Sequence, residues 1–165
     1  MIYRFCPSCG KPLANVERTG RTRAVCSDDA CGFVHWNNPV PVVAALLEHE
    51  GAIILVRARD WPQHWYGLVT GFLEAHEAPD QAIVREIKEQ LDVDATVVSL
   101  IGVYAFPEMN QAIIAYHARA EGAITLSDEL AAYRSVPPDK LRPWAMGTGH
   151  AVKDWLAART AAAGR

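Results

Sequence analysis

Glu86, Glu89 and Gln90 stand at i, i+3 and i+4 in the segment Arg85-Glu86-Ile87-Lys88-Glu89-Gln90-Leu91-Asp92-Val93. On an α-helix that spacing puts the three side chains on one face. Two carboxylates side by side repel each other unless a cation lies between them, and hard oxygen donors select magnesium or manganese. A solvated helix surface carries the same residue types, so spacing alone does not separate a metal site from plain surface charge. A second chemical set lies in the first fifth of the chain, where all four cysteines fall: Cys6, Cys9, Cys26 and Cys31. Cys6-Pro7-Ser8-Cys9 is a CxxC knuckle, and four residues separate the second pair where two are usual. Four thiolates suit tetrahedral Zn2+ and fill its coordination shell. The expectation is therefore a structural zinc site with no open position for a reacting water, the alternative being free thiols.

The carboxylates need a helix to carry them, and residues 80–91 supply one. Ile83, Ile87 and Leu91 form an apolar stripe at i, i+4 and i+8, and Asp80 stands where it can cap. Ahead of it, the apolar run 40–47 reads as a buried strand, His49-Glu50-Gly51 as a turn and residues 52–57 as the hairpin partner. Residues 61–66 form an aromatic, proline-containing loop, and residues 71–77 are expected to be a loop as well. Strands are predicted at about 95–104, 111–118 and 131–136, followed by a break at Pro137-Pro138. A last helix is predicted over 149–162, with Val152, Trp155 and Leu156 on one face and a frayed tail from Ala161. Strands flanking a central helix, with a second helix behind them, define an α/β (α+β) mixed-sheet sandwich. Asn37-Asn38-Pro39 punctuates the chain. It separates a turn-rich cysteine segment, 1–36, from a domain over 37–165.

Bulk properties bound the partners. The 165 residues suit one domain with a small appendage, and a half-hydrophobic composition can build a core. A net charge of −3 argues against coating nucleic acid by bulk attraction. There is no apolar run of about 18 residues, and the opening MIYRFCPSCG lacks an apolar signal-peptide region. No membrane partner and a cytoplasmic location are therefore expected. The sequence leaves the oligomeric state open, a homodimer included.

The longer pattern from Gly71 to Val93 resembles the Nudix box, G-x5-E-x7-R-E-U-x-E-E-x-G-U with U apolar. Gly71, Glu77, Arg85, Glu86, Ile87, Glu89 and Val93 fall at their places, while Gln90 and Asp92 replace a glutamate and a glycine. The four-cysteine segment, the Asn-Pro boundary, the strand pair and the box together resemble the zinc-ribbon branch of Nudix hydrolases. That branch includes NADH, ADP-ribose and FAD pyrophosphatases, and the likeness runs over roughly residues 5–145. The resemblance implies a Nudix-like α/β/α sandwich with an N-terminal zinc ribbon. It also implies a hydrolase that cleaves a nucleoside diphosphate linked to another moiety, with Mg2+ or Mn2+ as catalytic cofactor. By the same resemblance Glu86 and Glu89 are metal ligands, and Gln90 holds a ligand's place with a neutral oxygen. Glu129 looks like the family's later metal-binding glutamate, with Asp128 beside it as the alternative. Arg85 is expected to organise the loop by pairing with Glu77, and Gly71 to allow a close backbone turn at the metal. Asp92 would take the left-handed end of the helix, and His76 occupies a place that is often glycine.

Substrate selection would fall to other elements. Arg57 and Arg59 follow a strand and are candidates for phosphate contacts, ordinary surface charge being the equal alternative. Trp61, Trp65 and Tyr66 could stack on a base or pack a loop. NADH pyrophosphatases carry S-Q-P-W-P-F-P-x-S where this chain keeps Phe106-Pro107. Phe106 thus joins the substrate candidates, and ADP-ribose, FAD or a related dinucleotide gains on NADH. Two other readings compete. One is a degenerate Nudix fold that binds a nucleotide without turnover, supported by Gln90 and Asp92. The other is a zinc-ribbon nucleic-acid adaptor, supported by Arg4, Lys11, Arg18, Arg21 and Arg23, with no stacking platform evident among them. The expected partner is a small nucleoside diphosphate derivative rather than nucleic acid.

Overall fold

The computed structural model describes residues 3–164. The chain divides into two compact units, Met1–Pro39 and Val40–Arg165. In the first, β1 (Leu13–Arg18), β2 (Arg21–Cys26) and β3 (Val34–His35) form an antiparallel sheet in the order β1-β2-β3. Thr19 and Gly20, at φ 52° and 73°, close the first hairpin. Two left-handed residues are what a two-residue hairpin loop needs.

The second unit runs β4 (Val40–His49), β5 (Ala52–Ala58), β6 (Val69–Phe72), α1 (Pro79–Leu91), β7 (Asp94–Phe106), a 3-10 turn at Pro107–Met109, β8 (Gln111–Glu121), β9 (Leu130–Val136) and α2 (Gly149–Ala163). The main sheet is ordered β7-β8-β4-β5-β9, and β6 pairs with β4. β4 lies parallel to β8 and antiparallel to β5 and β6. A central strand covered on both faces must be apolar on both, which is why β4 is buried without a break from Val42 to Leu47. Val43, Ala45 and Leu47 meet Ile83, Ile87 and Leu91 of α1. Val42, Ala44 and Leu46 meet Ala151, Val152 and Trp155 of α2. Each large apolar side chain so buried stabilises the fold by about 1.5–3 kcal/mol. The result is the expected α/β/α sandwich.

Several expectations shift. Asp80 does not cap α1; the cap is Ala78, and Pro79 opens the helix with its φ already set. Asp80 lies in the first turn, and Gln81 Oε1 accepts the Ala78 N–H at 3.4 Å. The expected loop at 71–77 loses its first two residues to β6, because Gly71 and Phe72 pair with Val43 and Val42. β7 and β8 extend beyond their apolar stretches because they pair with each other from Asp94↔Glu121 to Phe106↔Gln111. α2 continues through Ala161 to Ala163, where fraying was expected, and Arg165 lies outside the described residues. Among the described residues no helix is long and apolar enough to cross a membrane.

Candidate active site

The site forms where α1 crosses β6. The Glu86 carboxylate lies directly over Gly71: a Cβ added to Gly71 would sit 1.8 Å from the carboxyl carbon. Gly71 is not among the residues with positive φ. Its glycine therefore serves close approach within a strand, not the backbone turn expected from the sequence. The Glu86 side chain is only 13% exposed and is held from two sides. Arg85 Nη1 donates to its Oε1 at 2.9 Å, and Gln90 Nε2 donates to its Oε2 at 3.0 Å.

Arg85 ties the neighbourhood together. Its Nε and Nη2 donate to the two oxygens of Glu77 at 2.8 and 2.9 Å, a bidentate pair. Nη1 also reaches Glu89 Oε2 at 3.1 Å, and Nη2 reaches the Phe72 carbonyl at 3.2 Å. The loop before α1 is thereby fastened to the helix and to β6. Hydrogen bonds from Arg85, foremost, hold the Glu77 carboxyl below its ordinary value of 4.5 against burial, and raise Arg85 in turn. Because the folded value is depressed, the pair's contribution to stability is complete above the unfolded value. It fades as pH falls through the folded one.

Residue 90 departs from its expected face. Gln90 is 7% exposed and is buried with Ile83, Ile87 and Leu91 rather than standing in solvent beside Glu89. Its Nε2 donates to the Thr70 carbonyl at 2.8 Å as well as to Glu86. Both partners can only accept, so the amide nitrogen must face them. The helix direction explains this: 86 and 90 flank the line toward β6, whereas Glu89 is turned outward, with its side chain 57% exposed. Asp92 takes the left-handed C-cap at φ 53°, its N–H bonded to the Lys88 carbonyl and its carboxylate 2.9 Å from Lys88 Nζ. His76, at φ 65°, occupies a conformation that glycine adopts freely.

The remaining candidates lie elsewhere. Glu129 is an exposed turn residue just before β9. Among the described residues its carboxylate does not join Glu86 and Glu89 in a set within 4.8 Å. Arg59 is turned to the same turn: its Nε donates to the Asp128 carbonyl, Nη2 lies 3.7 Å from Asp128 Oδ1, and its N–H donates to the Glu129 carbonyl. Strand alternation puts Arg57 with Ile53 and Leu55 on the α2 side of the sheet. Its Nε is buried without a hydrogen-bond partner. Arg134, which sequence reasoning missed, stacks 3.9 Å from the Tyr66 ring centre. Arg57 first, then Arg134, hold the Tyr66 phenol below its usual value despite burial. No local signal in the sequence marks Arg134, because its place follows from its pairing opposite Leu55. Phe106 packs into the α2-side core and against Gly147; Trp61 covers Gly67, and Trp65 is exposed.

The four cysteines converge in the first unit. All four Sγ atoms lie within 4.8 Å of one another, with Cys6–Cys31 at 3.7 Å and Cys9–Cys26 at 3.4 Å. Zinc–sulfur bonds of about 2.3 Å make a tetrahedron with edges of about 3.8 Å, so the donor set fits zinc. Burial opposes the Cys6 thiolate, but the N–H groups of Ser8 and Cys9 and the nearby sulfurs bring its pKa down to about 7. Cys26 is pushed up to about 12: the Asp28 N–H favours its thiolate, yet burial and the sulfurs of Cys9 and Cys6 outweigh it. Four adjacent thiols cannot all ionise without a cation among them.

Known proteins are similar to this chain. The NUDIX domain family matches residues 37–155. An NAD-capped RNA hydrolase NudC of Stutzerimonas stutzeri is 28% identical over 120 residues, 73% of this chain and 42% of that protein. An NAD-capped RNA hydrolase of Schizosaccharomyces pombe is 37% identical over 106 residues, 56% of this chain and 28% of that protein. The chain thus spans less than half the length of these relatives. Among solved structures, a NUDIX hydrolase from Nitrosomonas europaea superimposes with a TM-score of 0.77 at 22% identity, covering 96% of this chain and 93% of its own. An ADP-ribose pyrophosphatase from Streptococcus suis does so with 0.61 at 19% identity, covering 74% and 92%. By the family match across residues 37–155, this chain belongs to the NUDIX domain family.

Proposed function

We propose that this chain is a metal-dependent pyrophosphohydrolase that cleaves a nucleoside diphosphate linked to another moiety, of the ADP-ribose, FAD or NADH-like kind. The observation that carries this reading is the Glu86 carboxylate seated on Gly71, where any Cβ would displace it. Glu86 and Glu89 would hold Mg2+ or Mn2+ with hard oxygen, with Glu129 as a further carboxylate. When bound, such an ion neutralises the pyrophosphate and lowers the pKa of a coordinated water. Arg85 keeps Glu86 and Glu89 in place and Glu77 against the helix. A carboxylate of this set accepts the proton of the attacking water. On the α2 side, Arg57 and Arg134 with Tyr66 offer positive charge and an aromatic surface to the substrate. The cysteine unit holds Zn2+ in a structural role, in the reducing cytoplasm where thiols persist.

The test is a panel of ADP-ribose, NADH, NAD-capped RNA, FAD and diadenosine polyphosphates, each with Mg2+ and with Mn2+. The relatives' names put the NAD-bearing compounds first. Hydrolysis of at least one, abolished by chelation, is expected. Saturable binding with no turnover on any would replace this reading with the nucleotide-binding module.

Two further outcomes are expected. Replacing Cys6 with serine should release zinc and destabilise residues 3–39 while metal-dependent turnover persists. Elemental analysis and a kinetic assay of the same sample check this; wild-type protein without bound zinc would refute the structural site. Gln90→Glu should have opposite effects in the two metal conditions. Without metal, a carboxylate would face the Thr70 carbonyl and Glu86, lowering stability by about 1–3 kcal/mol. With Mg2+ the added charge should tighten metal binding and raise turnover at low metal. Thermal melting with chelator and with Mg2+ reads both signs. A variant indifferent to Mg2+ would mean that residue 90 no longer serves a metal cluster.

A further inference from the structure

We propose that the first unit binds single-stranded nucleic acid on one face of its three-stranded sheet, through Arg18, Arg21, Arg23 and Trp36. The pairing Arg18↔Arg21, Val16↔Arg23 and Val25↔Val34 fixes which side chains share a face. Alternation then collects Val16, Arg18, Arg21, Arg23, Val25 and Val34, and Trp36 follows two residues after Val34. The side-chain positions agree: the guanidinium carbons of Arg18 and Arg23 lie 5.9 and 5.5 Å from the Trp36 ring centre. Glu17 and Thr22, also paired, point to the opposite face and bond each other there.

The arginine face is therefore free of acid. Residues 1–39 contain five Lys and Arg against three Asp and Glu, a net +2 within a chain of −3. Asp28 is taken by Lys11 at 2.7 Å. Among the described residues none of the three arginines has an ion pair, and Arg23 Nε is buried without a hydrogen-bond partner. Arg23 Nη1 donates to the Trp36 backbone carbonyl. Trp36 is nonetheless 44% exposed. Arginines about 6.8 Å apart along a strand can follow successive backbone phosphates, and an exposed indole offers a stacking surface to an unpaired base. An acidic peptide would use the arginines and leave the ring idle. A duplex keeps its bases stacked on one another and away from it.

The test titrates a short fluorescent oligouridylate with the full chain and follows anisotropy over a salt series. Three phosphate contacts should make log K fall with log salt at a slope of about −2. Arg18→Ser with Arg21→Ser should reduce that slope to about −0.7 and leave ADP-ribose hydrolysis unchanged. Trp36→Ala should weaken binding roughly 5- to 150-fold, the value of one stacked base, and Trp36→Phe should recover most of it. Cysteine accessibility to a thiol reagent verifies that each variant keeps its fold; if Trp36→Ala loses it, the arginine pair and Trp36→Phe decide. Unaltered binding in the arginine variant overturns the proposal. So does polyglutamate or a DNA duplex competing as well as single-stranded RNA.

Discussion

Glu86→Gln and Glu89→Gln, each made alone, are expected to cut kcat by about 10²- to 10⁴-fold, the usual value of a positioned acid–base or metal-holding carboxylate. Both replacements keep the shape of the side chain. Glu89 is half-exposed and makes one 3.1 Å contact with Arg85, and exposed pairs of that kind contribute at most about 1 kcal/mol. Glu86→Gln keeps one accepting oxygen, but its NH2 group faces the second donor, Arg85 or Gln90, at a cost of about 1–3 kcal/mol. The thermal midpoint should therefore move little in Glu89→Gln and modestly in Glu86→Gln, while turnover collapses in both. Measured side by side, kcat and the melting midpoint separate a lost ligand from a lost fold. Near-normal turnover in both variants would show that α1 is a surface helix whose charges do no chemistry.

Gly71→Ala should be comparably severe for a different reason. The new Cβ would fall 1.8 Å from the Glu86 carboxyl carbon and 2.0 Å from its Oε1. Either the carboxylate leaves its seat or β6 separates from β4. The first route costs turnover; the second adds strain of about 1–3 kcal/mol. The two routes are distinguished by a double-mutant cycle with Glu86→Ala. Removing the carboxylate should abolish most of the destabilisation caused by the alanine, because the two residues meet in one space. Additive losses, or an active Gly71→Ala enzyme, would mean that Glu86 is not seated against β6.

Local pattern made much of this molecule legible. The stripe Ile83, Ile87 and Leu91 identified α1, and the unbroken apolar run of β4 identified a strand covered on both faces. The knuckle Cys6-Pro7-Ser8-Cys9 located the metal-fitting cluster. These signals are periodicities and short spacings, which depend on backbone geometry within one element and need no partner. The pairing of Arg85 with Glu77 was implied by the resemblance to the Nudix box rather than by any period, and the structure contains it.

What escaped the sequence depends on which element lies opposite. Gln90 has the spacing of the carboxylate face, yet the carbonyl of Thr70, on β6, accepts from its amide on the inner side of the helix. Gly71 looked like a turn residue until β6 placed it beneath Glu86. Arg134 is far from Tyr66 in sequence and reaches its ring only through the pairing of β5 with β9. Trp36 joins Arg18 and Arg23 only through the register of three short strands. The sequence by itself determined α1, α2, β4, β5, β7, β8 and β9, the metal-fitting cysteines and the family's carboxylate helix, because helix and strand periods are written into consecutive residues; the short strands β1–β3 and β6 carry no such period and read as turns and loop. The tertiary structure decided which oxygen, ring or guanidinium each of these side chains meets, because a long-range contact belongs to two segments at once and neither one encodes it alone.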